Sequence, residues 1–205
     1  MADSTANDDV APDTTPGFKP PAMKTLDEIR GQDNDDESLV KYKQVLLGTA
    51  ASGTMEKPRP NDSRNVILNE FSILVDGRPD ITLNLEGDLS KLKDQPVIMK
   101  EGTMFKVRIR FFVQNEIVSG LKYFQVLYRK GIRVDKDTSM VGSYGPKPMA
   151  QEFTTKPDEA PKGMMYRGMY NVKSKFIDDD KNVILEWEWP FKICKDWTSA
   201  ATDDE

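Results

Sequence analysis

Beyond residue 64 the chain repeatedly alternates apolar and polar residues with a period of two. Phe105, Val107, Ile109 and Phe111 alternate with Lys106, Arg108 and Arg110, and Ile81, Leu83 and Leu85 with Thr82, Asn84 and Glu86. Tyr170, Val172 and Phe176 alternate with Asn171, Lys173 and Lys175. The clearest run comes last: Val183, Leu185, Trp187, Trp189, Phe191 and Ile193 share one face, with Glu186, Glu188 and Lys192 opposite. Each run predicts a half-buried strand with one wet face. Further strands are expected near 65–75, 96–100, 121–129, 138–143 and 149–154. Turn signals separate them, among them Asp76-Gly77-Arg78-Pro79, Lys130-Gly131 and Asp178-Asp179-Asp180-Lys181. Eight or nine short strands at this spacing, without a helical pattern between them, predict an all-β antiparallel sandwich.

Residues 1–64 follow a different pattern. Their aromatic residues are Phe18 and Tyr42, whereas all three tryptophans lie in residues 65–205. Residues 1–22 are small, acidic and Pro-punctuated, a composition that predicts disorder. Thr25-Leu26-Asp27-Glu28 has capping-box spacing and predicts a short helix over about 25–31. A second helix is expected over 35–47. Asp33 or Asp35 would cap it, Asp36 and Glu37 lie in its first turn, Leu39, Tyr42, Val45 and Leu46 form one stripe, and Gly48 ends it. So short a helix is marginal alone in water, so its stripe needs a surface, either the chain's own body or a partner. Residues 49–64 read as a linker. The organisation is therefore a flexible N-terminal arm, 1–64, and a sandwich, 65–205.

Composition narrows the function. The net charge is −5, with 12 Asp/Glu against 8 Lys/Arg in residues 1–64. That balance disfavours nucleic acid and suits a basic partner. There is no histidine, which removes the usual general base, the histidine-dependent nucleophile systems and most zinc sites. The single cysteine, Cys194, cannot make an intramolecular disulfide. With no apolar leader in the first twenty residues and no long apolar run, a cytoplasmic protein without stable membrane insertion is expected. A binding protein, not an enzyme, is the expectation.

Two places suggest a site. Trp187, Trp189 and Phe191 point inward with Phe105, Phe111, Tyr170 and Phe176. They form either an ordinary core or a sandwich held open for an apolar ligand. Met164, Met165 and Met169, bounded by Gly163 and Gly168, favour the second reading, because methionine adapts to irregular apolar shapes. Asp178-Asp179-Asp180 lacks the spacing of a calcium loop and reads either as a solvated turn or as a clamp for a partner's arginine. Glu186 and Glu188 read as solvated sheet charges rather than an acid/base pair.

Several blocks in register resemble the Rho GDP-dissociation inhibitors. They are Asp35-Asp36-Glu37-Ser38-Leu39 with Lys41-Tyr42-Lys43 and Leu46-Leu47-Gly48; Glu116-Ile117-Val118-Ser119-Gly120; Tyr128-Arg129-Lys130-Gly131; and Met140 to Pro146. Glu159-Ala160-Pro161-Lys162-Gly163-Met164, Asp178 to Lys181, Trp187-Glu188-Trp189 and Lys195-Asp196-Trp197 continue the series. The resemblance covers about residues 18–197. It implies an immunoglobulin-like sandwich that takes the geranylgeranyl tail of a prenylated Rho/Rac-class GTPase in its GDP form. It also implies an arm that folds over the switch regions and slows GDP release, a 1:1 heterodimer extracted from membranes, and no cofactor.

On this resemblance the prenyl pocket includes Ile73, Val97, Phe105, Ile117, Met165, Val172, Trp187 and Trp189. The GTPase contacts include Asp36, with Tyr42 and Leu46 near it, and Asp180 paired with an arginine. Glu116, Asp158 and Glu159 lie near the path of the GTPase's basic tail. Phe18 stands where tyrosine is often found, and Pro96 and Met169 stand where some relatives carry phosphorylatable serines. A general shuttle for prenylated or acylated proteins, without effect on nucleotide exchange, is the competing reading.

Overall fold

The period-two segments form strands that pack as two five-stranded sheets in a computed structural model, which describes residues 57–197 together with Glu28, Asp36, Glu37, Ser38, Val40 and Lys41. The strands are β1 (Val66–Val75), β2 (Ile81–Asn84), β3 (Val97–Lys100), β4 (Met104–Val113), β5 (Val118–Arg129), β6 (Ile132–Tyr144), β7 (Gln151–Thr154), β8 (Asp158–Glu159), β9 (Gly168–Ile177) and β10 (Val183–Cys194). One sheet has the order β2-β1-β4-β7, with β8 also on β4; the other runs β3-β10-β9-β5-β6. The fold is the expected all-β sandwich.

Alternation explains which faces meet. On β4, Val107, Ile109, Phe111 and Val113 are buried, and on β9 so are Tyr170, Val172, Ser174 and Phe176. The inner faces interdigitate into one core. On the wet face of the first sheet Arg108 pairs with Asp80 at 2.7 Å and Arg110 with Glu70 at 3.0 Å. On the wet face of the second, Lys93 and Lys173 flank Glu188 at 2.8 and 3.4 Å, and the Lys93 hydrogen bond holds the Glu188 carboxyl below its usual range.

The structure differs from the sequence expectation in four places. β3 pairs with β10 in parallel, reaching that edge through a 3₁₀ segment, Leu89–Asp94, which no periodicity announces. β6 begins at Ile132 rather than near 138, because its first half is a wet ribbon paired to β5 alone at the sheet edge. β8 is two residues long. And contacts with the body begin before the compositional break at residue 64. The buried Gln114 side chain accepts from the Arg59 N–H at 3.2 Å and donates to the carbonyls of Asp62 and Arg64 at 2.6 and 2.8 Å.

In the N-terminal region Glu28 is helical, as are Glu37, Ser38, Val40 and Lys41. Asp36 sits where a cap should. Its Oδ1 accepts from the Ser38 N–H at 2.8 Å, and its carbonyl accepts from the Val40 N–H at 2.9 Å. Asp36 thus caps this segment, while Asp33 and Asp35, the caps expected from the sequence, lie outside the described residues. Tyr42, Leu46 and the rest of both helix assignments lie outside the described residues.

Candidate functional site

The sandwich is filled at one end and open at the other. At the filled end large rings from both sheets meet: Phe71 lies 5.6 Å from Trp187 and 6.0 Å from Tyr123, and Phe111 lies 5.5 Å from Phe176. At the other end the facing residues are smaller. Val107 and Ala160 on one side oppose Leu127 and Val172 on the other, and a cavity of about 390 Å³ remains between them. That volume lies within the roughly 300–1,000 Å³ of small-molecule sites. Phe105, Met99, Tyr170, Trp189 and Phe191 complete its apolar wall. Tyr170 and Phe191 stack on each other, 5.0 Å apart and 9° from parallel, so they line the space rather than fill it.

A buried polar chain fixes the tryptophan wall. The Trp189 Nε1–H donates to Ser174 Oγ at 3.1 Å, Ser174 lies 3.1 Å from the Tyr123 hydroxyl, and Tyr123 donates to Gln125 Oε1 at 3.0 Å. Burial pushes the Tyr123 phenol above its ordinary range, so it stays a donor at any physiological pH. By contrast the Trp187 Nε1–H is buried without a partner among the described residues.

The mouth is built by two loops tied together. Arg129, from the end of β5, donates to the carbonyls of Met165 and Arg167, the latter at 2.7 Å, and its guanidinium lies 5.3 Å from the Tyr170 ring centre. Arg167 in turn holds Glu101 through two bonds of 2.9 and 2.7 Å, and Glu101 also accepts from the Gly163 N–H at 2.9 Å. Those donors, Arg167 foremost, hold the Glu101 carboxyl at about 2. Gly163, at φ 110°, begins the segment in a conformation that side chains rarely adopt.

Of the residues expected in the pocket, Phe105, Val172 and Trp189 line the cavity. Ile73, Val97 and Trp187 are buried in the packed core beside it, because period two places a side chain inside without saying whether the space opposite is filled. Ile117 is half-buried in the β4–β5 connection, away from the cavity lining. Met165 stands at the mouth, 83% exposed, with its carbonyl rather than its side chain tied down. Of the residues expected to meet a partner, Asp158 and Glu159 line the mouth on β8. Glu116 and Asp180 sit at the opposite end of the sandwich, in the β4–β5 and β9–β10 connections. Asp178 is bound to Asn182 at 2.8 Å and Asp179 to Lys122 at 3.1 Å, whereas Asp180 makes no such bond among the described residues. Asp36 is exposed.

Sequence reasoning missed Gln125, Leu127 and Arg129 on β5 and Val134, Asp135 and Asp137 on β6. Alternation along β5 carried the signal for Leu127, since Tyr123, Gln125 and Leu127 share a face. Nothing local carried it for Arg129, whose partners lie far along the chain. Among the described residues no cluster is arranged to hold a metal, and no helix is long and apolar enough to cross a membrane.

The family pattern described as RHO protein GDP dissociation inhibitor matches residues 3–196. Human Rho GDP-dissociation inhibitor 1 is 48% identical over 181 residues, 88% of this chain and 86% of that one. Human Rho GDP-dissociation inhibitor 3 is 45% identical over 193 residues, 94% of this chain and 84% of that one. A solved Niemann-Pick type C2 protein from the Japanese carpenter ant covers 65% of this chain and 98% of its own at 13% identity; with a TM-score of 0.39 it adds nothing to the argument.

Proposed function

The chain belongs to the Rho GDP-dissociation inhibitor family and is a GDP-dissociation inhibitor of Rho-family GTPases, and on that premise we propose that its open-ended cavity takes the geranylgeranyl tail of the GTPase. The observation that carries this reading is the apolar cavity of about 390 Å³ between the sheets, walled by Trp189, Phe105, Val172 and Leu127. Burying a geranylgeranyl chain is worth at most about 15 kcal/mol at roughly 0.8 kcal/mol per buried CH₂. Association and ordering remove much of that. The remainder must compete with a bilayer, which the cavity does by supplying rigid aromatic walls.

The charged residues suggest how the protein part is held. Asp180 and the mouth stand at opposite ends of β9, ten residues long, hence roughly 30 Å apart at about 3.3 Å per residue. A partner that engages Asp180 and also fills the cavity needs an extended lipid-bearing tail of about ten residues. Asp158 and Glu159 at the mouth suit basic residues in such a tail. Asp36, Tyr42 and Leu46 would meet the switch regions, favour the GDP form and slow nucleotide release, with Glu116 beside the tail's path. The tether raises the effective concentration of the second contact once the first is made. In this scheme the complex is 1:1 and cytoplasmic. It uses no cofactor and no proton transfer, as befits a family of regulators.

The test mixes the protein with a prenylated, GDP-loaded Rho-class GTPase on liposomes. Transfer of the GTPase to the supernatant and slowed GDP release are expected. Failure of transfer would refute the cavity's role. Removing residues 1–56 should abolish the slowing while leaving prenyl uptake; slowing that survives would refute the arm's role and leave a lipid shuttle.

A further inference from the structure

The cavity mouth has two unlike lips. One is acidic, with Asp158 and Glu159, the latter paired with Lys162 at 2.6 Å. The other is made by the β5–β6 hairpin tip and the Gly163–Arg167 loop. It exposes Ile132 at 70%, Met164 at 79%, Met165 at 83%, and Val134 and Tyr166 at about half. Other exposed apolar side chains, such as Met104, Met140, Met149 and Val183, are scattered along the chain, whereas these five fall on two short segments joined at the mouth, and such a cluster calls for a partner. They do not hang freely. The Arg129 side chain joins the hairpin to the loop through the carbonyls of Met165 and Arg167, and Glu101 anchors Arg167 and Gly163. The lip is therefore presented in a fixed shape.

Its charge selects among possible partners. Residues 129–137 of the hairpin carry Arg129, Lys130, Arg133 and Lys136 against Asp135 and Asp137, whereas in the loop Lys162 is paired with Glu159 at 2.6 Å and Arg167 with Glu101 at 2.7 Å, so the positive surplus lies on the hairpin. Apolar tips flanked by cations match the boundary between acyl chains and anionic headgroups. Lys130 is exposed at the turn, where it and Gly131 both take positive φ, and makes no ion pair among the described residues. Val134 and Tyr166 also line the cavity, so the exposed patch and the apolar interior share two residues at the mouth.

We propose that this lip is a bilayer-docking surface: the hairpin tip and the Gly163–Arg167 loop sit on anionic lipid with Ile132, Met164 and Met165 in the interfacial layer and the cavity mouth facing the acyl chains. The inference rests on the cavity's taking a lipid group. It adds that the isoprenoid passes from bilayer to cavity along a continuous apolar path, without crossing water. The acidic lip, repelled by anionic headgroups, tilts away and stays available to a basic tail.

The experiment floats the full chain, without any GTPase, on phosphatidylcholine vesicles with and without phosphatidylserine. Association is expected only with phosphatidylserine. Ile132→Glu combined with Met164→Glu should weaken it about tenfold or more, and Lys130→Ala about fivefold. Uptake of a soluble geranylgeranylated peptide, read in parallel, should be unchanged, since none of the three lines the cavity. Absence of flotation on phosphatidylserine vesicles, or flotation equal in wild type and double variant, overturns the lip. So does normal flotation of a double variant that has lost affinity for an unprenylated GTPase, which would make the surface a protein contact. If wild type takes up no peptide, the cavity reading fails by itself while flotation still decides the lip.

Discussion

Trp187 and Trp189 are two residues apart on β10, face the same way and are 2% and 4% exposed, yet they belong to different halves of the molecule. Trp187 stacks near Tyr123 and meets Phe71 edge-on, ring against ring. Trp189 touches Phe71 on one side and has the cavity on the other. The difference lies opposite them rather than in the tryptophans. Where Phe71, Phe111, Tyr123 and Phe176 converge, the gap between sheets is filled. Where Val107, Ala160, Leu127 and Val172 face one another, the same gap is left open. A sandwich thus gains a ligand site by shortening a few facing side chains, while its other half provides stability. The open half needs two further devices, the Ser174 hydrogen bonds that hold Trp189 and the Arg129–Glu101–Arg167 ties that hold the mouth.

The sharpest test of this contrast enlarges one side chain in each half. Leu127→Trp should fill the cavity and lower uptake of a geranylgeranylated peptide by about a hundredfold, while urea unfolding shifts by less than about 1 kcal/mol, because the ring enters empty space. Ile109→Trp, in the filled half, should instead destabilise by about 1–3 kcal/mol or more, because no space exists. Equal stability losses at both positions would mean that the open half is not open in solution.

A smaller effect separates wall from core. Ser174→Ala leaves the Trp189 Nε1–H without its acceptor and removes one partner of the Tyr123 hydroxyl, and should lower stability by about 1–3 kcal/mol. It should also change tryptophan emission and weaken peptide uptake by less than Leu127→Trp does, since the wall loosens without being removed. Unaltered uptake alongside a full stability loss would reduce Ser174 to a core residue.

These contrasts mark how far the sequence was legible. Strict alternation located β2, β4, β9 and β10 and placed Phe105, Val172 and Trp189 inside, because a strand's period is local information. It could not separate Trp187 from Trp189, since the distance across the sandwich depends on residues remote in sequence. The first half of β6, with Asp135, Lys136, Asp137 and Thr138 in succession, buries neither face fully and so has no pattern to read. Leu89–Asp94 buries only Leu92, too little for a helical stripe. The parallel pairing of β3 is a matter of which edge stood open. Arg129 closes the strand expected near 121–129, and its role arises from carbonyls about 36 residues away.

The least perturbing test concerns the ties at the mouth and their dependence on pH. Glu101 accepts from Arg167 and from the Gly163 N–H, and these bonds lower its carboxyl from an ordinary 4.5 to about 2. A group whose folded value is depressed contributes fully above its ordinary value and loses that contribution as pH falls toward the folded one. The Gly163–Arg167 loop should therefore be held at neutral pH, weaken below about 4.5 and release near 2. Tracked by NMR, the Gly163 amide should titrate near 2, and in Glu101→Gln, which cannot ionise, that titration should vanish while the loop exchanges faster at neutral pH. The filled half has no ionised tie of this kind among its ring contacts, so amides of Phe111 and Phe176 should stay protected through the same range. An amide at Gly163 that titrates near 4.5 would show that the Arg167 tie does not hold the mouth, and that packing alone shapes both halves.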